Sequence, residues 1–224
     1  MKLAALWFAL LALAATTASA QVAHCNCNVI DVCEGIVADV DLHFGRVFEG
    51  AYRPGEPYDV LTIDPAGTGE TFEEMDISLR VRLRCEVSGL FLVGLPAESI
   101  ILYSAQLCMC SGWKPADAPT DENGWTSFSG TIRGGGCATH LSLFADGIGV
   151  TQIPIRINSP DTATGSPCHV DASDLAALAE RLGRPESYSI CFDYNESGPP
   201  TIDASDLTFF ASSLGSQCTV GPNH

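Results

Sequence analysis

Hydrophobic and polar side chains alternate along several short segments in the first two thirds of the chain. Over residues 76–87 apolar positions form one series, while Arg80, Arg82 and Arg84 belong to the other. A period of two is typical of a β-strand with one buried and one solvated face. Clusters of Gly, Pro, Asp and Asn separate further segments rich in Val, Ile, Leu, Phe and Thr, and these predict strands over 35–47, 58–63, 99–103, 126–132, 138–145 and 149–157. About seven strands separated by turns favour a β-sandwich.

Two features inside this β region have more than one interpretation. The three arginines form a row that could grip a carboxylate or sulfate group, or a solvated strand face paired with nearby acids. In so acidic a chain we favour the second interpretation. The run of three glycines at 134–136 lies between predicted strands and is interpreted as a hairpin turn.

The pattern changes at residues 158–160, after which the sequence repeats itself at an offset of 32 residues. Segment 161–183 aligns with 193–215, and both contain Asp-Ala-Ser-Asp-Leu. Each copy then has apolar residues at the i, i+3, i+4 and i+7 spacing of a helix face: Leu175, Leu178, Ala179 and Leu182, and Leu207, Phe210, Ala211 and Leu214. Gly183 and Gly215 follow as helix-ending residues. Because short helices are unstable alone in water, we expect the two apolar stripes to pack together.

The first twenty residues have the features of an export signal. Lys2 precedes a short apolar run, and Ala18-Ser19-Ala20 forms a small-x-small cleavage site before Gln21. The run is shorter than the ~20 residues that span a bilayer, so we expect a cleaved signal peptide and no later membrane insertion. Three parts should follow: a disulfide-rich β domain over 21–157, a repeat domain over 158–218 and a tail over 219–224. The expected location is extracellular or at the cell surface, with the periplasm as an alternative.

Charge excludes two classes of partner. The chain has 27 Asp and Glu residues against 11 Lys and Arg, a formal net charge of -16. Such a surface repels phosphate backbones and anionic headgroups, so neither a nucleic acid nor a membrane surface is an expected partner.

The ten cysteines of an exported chain predict disulfides. Seven precede residue 160 and three follow it, so either one bridge joins the two regions or one thiol on each side stays free. Position suggests that Cys191 and Cys218 close the second repeat. Two Cys-x-Cys pairs, at 25–27 and 108–110, leave a soft-metal site as the alternative.

The loop of the second repeat carries oxygen-bearing side chains at alternate positions. Such spacing lets a curling backbone direct several oxygens at one hard cation, with Gly198 permitting the sharp turn. The predicted calcium ligands are Asp193, Asn195, Ser197, Asp203 and Asp206. This loop is longer than a standard EF-hand loop, with Pro199-Pro200 in the excess.

The first loop is poorer in oxygen ligands. It retains only Asp161, Asp171 and Asp174 as acids, which predicts a weaker calcium site. For both repeats the alternative interpretation is that the Asp-x-x-Asp pair caps the helix without binding metal. Both roles can coexist in one side chain.

A duplicated calcium loop, each followed by one helix, over about 158–218 resembles the dockerin family. The resemblance implies a small all-α pair of EF-hand-like loop–helix repeats that binds calcium. In cellulosome systems such modules dock onto a cohesin domain of a scaffold protein. The family's partner-contact positions, just before the last loop acid, correspond here to Ala172, Ser173, Ala204 and Ser205.

A second resemblance concerns the β region. The segment 120–124, Thr-Asp-Glu-Asn-Gly, predicts a tight turn before a strand. Together with segments 94–96 and 143–147 it resembles bacterial Ig-like domains of the invasin/intimin type, over about 75–157. This resemblance implies a structural or adhesive module without catalysis.

The expected fold is therefore a mainly β, Ig-like sandwich followed by a small all-α dockerin-like pair. No nucleophile elbow, P-loop or H-E-x-x-H motif occurs and the five histidines are scattered, so we expect no enzyme. We expect a non-catalytic interaction protein that binds calcium and docks a cohesin-like partner. One alternative is a carbohydrate-binding β module that stacks sugars on Trp113, Trp125 or Tyr103, with a calcium-stabilised tail. A further alternative is a polysaccharide-acting hydrolase.

Overall fold

The computed structural model describes residues 35–44, 60–162, 168–194 and 201–219. The predicted signal peptide, the predicted ligands Asn195 and Ser197, and the chain after Thr219 lie outside these residues. Across the described ranges, none of the helices combines the length and the apolar character needed to cross a membrane.

Every segment predicted as a strand contains at least one strand. In chain order the strands are β1 (Ile36–Phe44), β2 (Val60–Thr62), β3 (Ile77–Cys85), β4 (Ile100–Tyr103), β5 (Leu107–Met109), β6 (Lys114–Pro115), β7 (Trp125–Phe128), β8 (Gly134–Gly136), β9 (Leu141–Ala145), β10 (Ile148–Ile153) and β11 (Arg156–Asn158). Pattern analysis missed β5, β6 and β8, which are two or three residues long.

The strands form two larger sheets and two strand pairs. One sheet has the order β1-β3-β7 and the other the order β10-β9-β4-β6, while β2 pairs with β11 in parallel and β5 with β8 in antiparallel fashion. The inward residues of both larger sheets meet in one core, with Val81, Leu102 and Leu143 all buried. The β-rich part of the predicted fold is therefore confirmed.

Strand β3 shows how the alternating pattern produces this packing. Its residues from Ile77 to Cys85 are buried at every second position. On the opposite face Arg82 donates to Asp39 of β1 at 2.7 Å, and Arg84 lies 3.7 Å from the same carboxylate. The guanidinium groups of Arg80 and Arg82 lie 4.8 and 5.2 Å from the ring centroid of Trp125. The arginine row is thus a strand face that pairs with an acid and stacks on an aromatic ring.

We expect Arg82→Gln to raise the pKa of the Asp39 carboxyl group toward its ordinary value. Hydrogen bonding to Arg82 is the main cause that holds this pKa low, and Arg84 adds to it. The pair therefore stabilises the fold at neutral pH, and that stabilisation is lost as the pH falls through the lowered pKa. NMR titration of the Asp39 carboxyl carbon measures the shift, with Arg80→Gln as the matched control. An unchanged Asp39 pKa in Arg82→Gln would contradict this assignment.

The prediction of an all-α C-terminal domain is wrong. The described part of this region has two short helices, α1 (Ala172–Ala179) and α2 (Ala204–Ser213), and two single turns of 3-10 helix at Pro185–Ser187 and Ile190–Phe192. The other described residues there are turns and extended chain, with an isolated antiparallel bridge between His169 and Gln217. The described residues are mainly β, since they contain eleven strands and two short α-helices.

The expected packing of one helical stripe on the other is only partly observed. Leu178 and Phe210 are buried, whereas Leu175 and Leu207 are each 37% exposed and Leu214 is 54% exposed. The buried positions pack into a second apolar cluster to which the loops contribute Val170, Phe192, Tyr194 and Ile202. The two helices therefore share their apolar cluster with these loop residues, whereas the sequence predicted that the helices pack mainly on each other.

Three disulfides join the repeat region to the β region: Cys108–Cys168, Cys110–Cys218 and Cys137–Cys191, with Cα separations of 5.5, 5.2 and 5.5 Å. The proposed Cys191–Cys218 bridge is therefore wrong, and so is the expectation of at most one bridge between the regions. Thr62 and Asn158 add hydrogen bonds, from Thr62 Oγ1 to the carbonyl of Tyr194 at 2.9 Å and from Asn158 Nδ2 to that of Asp193 at 2.6 Å. The repeats are thus packed onto the ends of β2 and β11.

Candidate functional site

Each helix of the repeats begins with a capping box. Asp171 is the N-cap of α1, and its side chain accepts from the backbone N–H of Ser173 at 2.7 Å. Asp203 does the same for α2 with Ser205, also at 2.7 Å. Hydrogen bonds from the serine side chain and backbone lower the pKa of both N-cap carboxyl groups. The capping role that the sequence suggested is confirmed for both repeats.

The last acid of each repeat connects the helix start to the start of its loop. Asp174 accepts from Asp171 N–H at 2.9 Å with Oδ2 and from Thr162 N–H at 2.9 Å with Oδ1. Asp206 repeats this arrangement, accepting from Asp203 N–H at 2.8 Å and from Tyr194 N–H at 2.7 Å. Thr162 and Tyr194 directly follow the first loop acids. These hydrogen bonds therefore hold the last acid of each repeat beside the start of its loop.

These first and last acids are buried. Asp161 and Asp174 of the first repeat are at most 4% exposed, and so are Asp193 and Asp206 of the second. Burial is the main cause that raises the pKa of Asp161 to about 6. The negative charge of Asp174 acts in the same direction, and hydrogen bonds from the backbone of Cys168 and His169 act in the opposite direction. Each repeat therefore buries its first and last loop acids, and in the first repeat the charges of these two acids interact.

Strand β8, which consists of three glycines, lies against Asp161. Gly136 N–H donates to the carbonyl of Asp161 at 2.5 Å, and a Cβ added to Gly135 would overlap the Asp161 carboxylate. The interpretation of 134–136 as a hairpin turn is wrong, because these residues form β8 and pair with β5. Glycine is needed there so that the first loop can rest directly on the strand.

The two repeats exchange backbone hydrogen bonds. Gly183, which follows α1, donates to the carbonyl of Ile202 at 3.0 Å, and Gly215, which follows α2, donates to that of Val170 at 2.9 Å. Both glycines have positive φ, at 68° and 86°, as helix-ending glycines do. Because each bond has its counterpart at the 32-residue offset, the repeats are related by an approximate two-fold exchange.

The donor set fits calcium in part. Carboxylate and backbone oxygens are the ligands that calcium prefers, and each buried carboxylate oxygen can accept more than one partner. In the second repeat Asp193 Oδ2 accepts from the hydroxyl of Tyr188 at 3.0 Å, and Asp206 Oδ1 accepts from the backbone N–H of Tyr194 at 2.7 Å. The N-cap acids Asp171 and Asp203 lie nearer the surface and are held by serine. Their role as metal ligands stays a prediction.

The predicted partner-contact residues lie on the surface. Ala172, Ser173, Ala204 and Ser205 are exposed in the first turns of α1 and α2. Leu175 and Leu207, one position after the last loop acid, are partly exposed beside them. The position of these residues permits contact with a partner, and their role stays a prediction.

Sequence reasoning missed the residues that hold the repeats in place. Asn158 is fully buried and donates to the carbonyl groups of both Ile190 and Asp193. Tyr194 is 3% exposed, and burial together with the charges of Asp174 and Asp206 raises the pKa of its hydroxyl. No local pattern marks either residue, because their partners are distant in the chain or belong to the other repeat.

The three aromatic residues considered for sugar binding differ in their surroundings. Trp125 is covered by Arg80 and Arg82. Tyr103 is 38% exposed and Trp113 is 48% exposed. Tyr103 is the last residue of β4, and Trp113 directly precedes β6.

Comparisons with protein-family models, with curated proteins and with solved structures found no match to this chain.

Proposed function

We propose that this chain is a secreted or cell-surface, non-catalytic interaction protein whose two C-terminal loop–helix repeats bind calcium. One observation carries the proposal: in both repeats a buried acid in the first helical turn accepts from the backbone at the start of its own loop. The Thr162–Asp174 and Tyr194–Asp206 hydrogen bonds are equivalent at the 32-residue offset. Capping a helix requires only the N-cap side of this arrangement.

Electrostatics support a cation in this arrangement. Two carboxylates buried close together repel each other, and that repulsion is relieved when a divalent cation binds between them. In the second repeat Asp193 and Asp206 would hold the ion, with Asn195, Ser197 and Asp203 as the further predicted ligands. In the first repeat Asp161 and Asp174 would hold it, with Asp171. Calcium would supply charge compensation and would cross-link the loop to the helix start.

The proposed setting and partner follow from other features. Three disulfides between the β region and the repeats favour an oxidising compartment, where such bridges persist. The duplicated Ala-Ser pairs, each followed by a partly exposed leucine, give two similar surface patches at the helix starts. We propose that these patches contact a protein partner of the cohesin-like scaffold class.

We expect Asp193→Ala to abolish calcium binding at the second repeat. Removal of this carboxylate leaves the cap residue Asp203 in place, so the helix start should persist while the cation loses a buried ligand. Isothermal titration of calcium into the oxidised protein measures binding, and thermal melts in calcium and in EDTA measure the linked rise in Tm. Glu122→Gln, which removes one exposed charge in the β region, is the matched control.

Three results would contradict the proposal. The first is the absence of saturable binding to the wild-type protein up to millimolar calcium, in which case the repeats are capped helices only. The second is equal binding by the wild type and Asp193→Ala. Loss of binding in Glu122→Gln would show that net charge, and not the loop, determines calcium affinity.

A carbohydrate-binding β region is the second candidate function. The exposed rings of Tyr103, at the end of β4, and Trp113, just before β6, favour it, because aromatic faces stack on sugars. Affinity electrophoresis in gels that contain soluble polysaccharide tests this candidate. Retardation that is lost in Trp113→Ala would support it, and equal mobility in gels with and without polysaccharide would exclude the polysaccharides used.

A further inference from the structure

Four cysteines converge where the repeats meet the β region. Cys108 lies in β5, and Cys110 is the residue that directly follows the last residue of this strand. Cys168 precedes the first helix and Cys218 follows the second, and Cys218 N–H donates to the carbonyl of Cys168 at 2.9 Å. The Sγ atoms of Cys110, Cys168 and Cys218 all lie within 4.8 Å of one another, and Cys108 is bonded to Cys168. The two disulfides thus form one sulfur cluster.

The backbone holds these cysteines in place independently of the sulfur–sulfur bonds. Strand β5 pairs with β8 along its length, and Cys110 N–H donates to the carbonyl of Arg133 at 2.9 Å. In the repeats, Val170 N–H donates to the carbonyl of Ser216 at 2.9 Å, next to the backbone hydrogen bond between Cys218 and Cys168. The cysteine positions should therefore persist when the bridges are opened.

The surroundings suit thiolates. Arg133 donates to the carbonyl of Pro65 at 3.3 Å and to Thr219 Oγ1 at 3.2 Å, which places a positive charge beside the cluster. Cys110 Sγ lies 3.4 Å from the same Pro65 oxygen. A neighbouring cation favours the thiolate form and offsets the negative charge of a metal–thiolate centre. Cys110 and Cys218 are half-buried, so a reductant and a metal ion can reach them.

We propose that these four cysteines form a tetrathiolate site for zinc once the two bridges are reduced by a thiol or a phosphine. Each disulfide takes up two electrons and two protons and becomes two thiols, while the reductant becomes a disulfide or a phosphine oxide. Zinc then binds four sulfurs and displaces their protons. Zinc binding and disulfide formation are alternative states of the same sulfur atoms. The sulfur ligands differ from the oxygen ligands of the proposed calcium sites, and one of them, Cys168, lies within the first loop.

Cobalt titration of the full-length mature protein, reduced with a phosphine under nitrogen, tests the proposal. A tetrahedral cobalt–thiolate centre gives intense visible bands and a sulfur-to-cobalt charge-transfer band in the near ultraviolet. We expect these bands to saturate at one cobalt per chain, to disappear when zinc is added, and to be absent from the oxidised protein.

Variants separate this cluster from the other cysteines of the reduced chain. Cys110→Ser and Cys218→Ser should each lose the four-sulfur spectrum, whereas the double variant Cys137→Ser/Cys191→Ser, which removes the third bridge, should keep it. Circular dichroism follows folding, and refolding of a reduced, unfolded chain on addition of zinc would also support the site. No cobalt–thiolate band, or a band of equal strength in Cys110→Ser and Cys218→Ser, would overturn the proposal.

Discussion

Gly135→Ala should lower the free energy of unfolding by about 3 kcal/mol. The new methyl group would overlap the Asp161 carboxylate, and the Cβ of Asp161 lies 2.7 Å from the same position, so rotation of that side chain alone does not relieve the contact. Either the first loop or strand β8 has to move. The change should therefore disturb both the packing of the β5–β8 pair and the position of the first-repeat acids.

Urea unfolding of the oxidised protein in EDTA measures this effect without a contribution from calcium. Gly149→Ala is the matched control, because a Cβ there meets Phe144 at an ordinary distance of 3.5 Å and should change stability little. For a chain of this size the expected loss corresponds to a Tm lower by roughly 6–12 °C. Equal stability of the two variants would show that the first loop does not rest on β8.

Phe210→Ala should lower the free energy of unfolding by about 3–5 kcal/mol. Phe210 is fully buried in the apolar cluster shared by the two repeats, where it packs with Leu178 of α1 and with residues from both loops. Truncation of the ring leaves a cavity, because the neighbouring side chains of a close-packed core relax only in part. The expected destabilisation is therefore at the upper end for a single substitution.

The control is Leu207→Ala on the same helix. Leu207 is partly exposed, and alanine is a good helix former, so this change should cost about 1 kcal/mol or less. Chemical denaturation of both variants, followed by circular dichroism and by tryptophan fluorescence, measures the two effects. Similar losses in both variants would mean that the shared cluster does not stabilise the repeats.

The best sequence predictions concern features with local causes. The alternation along 76–87 predicted β3 and its buried face, because adjacent side chains of a strand point in opposite directions. The Asp-x-x-Asp pairs predicted both helix starts, and Gly183 and Gly215 predicted both helix ends. Each of these signals involves residues within a few positions of one another, where backbone geometry determines the contact.

The wrong predictions concern features that depend on distant parts of the chain. Strands β5, β6 and β8 are too short to show a hydrophobic period, and pairing with their neighbours forms them. The all-α expectation treated the repeats as a separate domain, whereas β11 and three disulfides hold them against the sheets. The cysteine count could not reveal the pairing, because it depends on which side chains packing brings within bonding distance.

Some features of the candidate site are determined by the sequence alone, and others only by the tertiary structure. The sequence by itself determined the duplication, the capping residues, the identity of the acidic loop residues and the acidic character of the surface. Only the tertiary structure decided that Asp161 rests on Gly135, that Asn158 donates to a carbonyl 35 residues away, and that the cysteines of segment 108–110 are bridged to those on either side of the two helices. The physical reason is the sequence separation of the interacting residues. Periodicity and capping involve residues within one or two helical turns, whereas burial and cross-linking depend on how the whole chain packs.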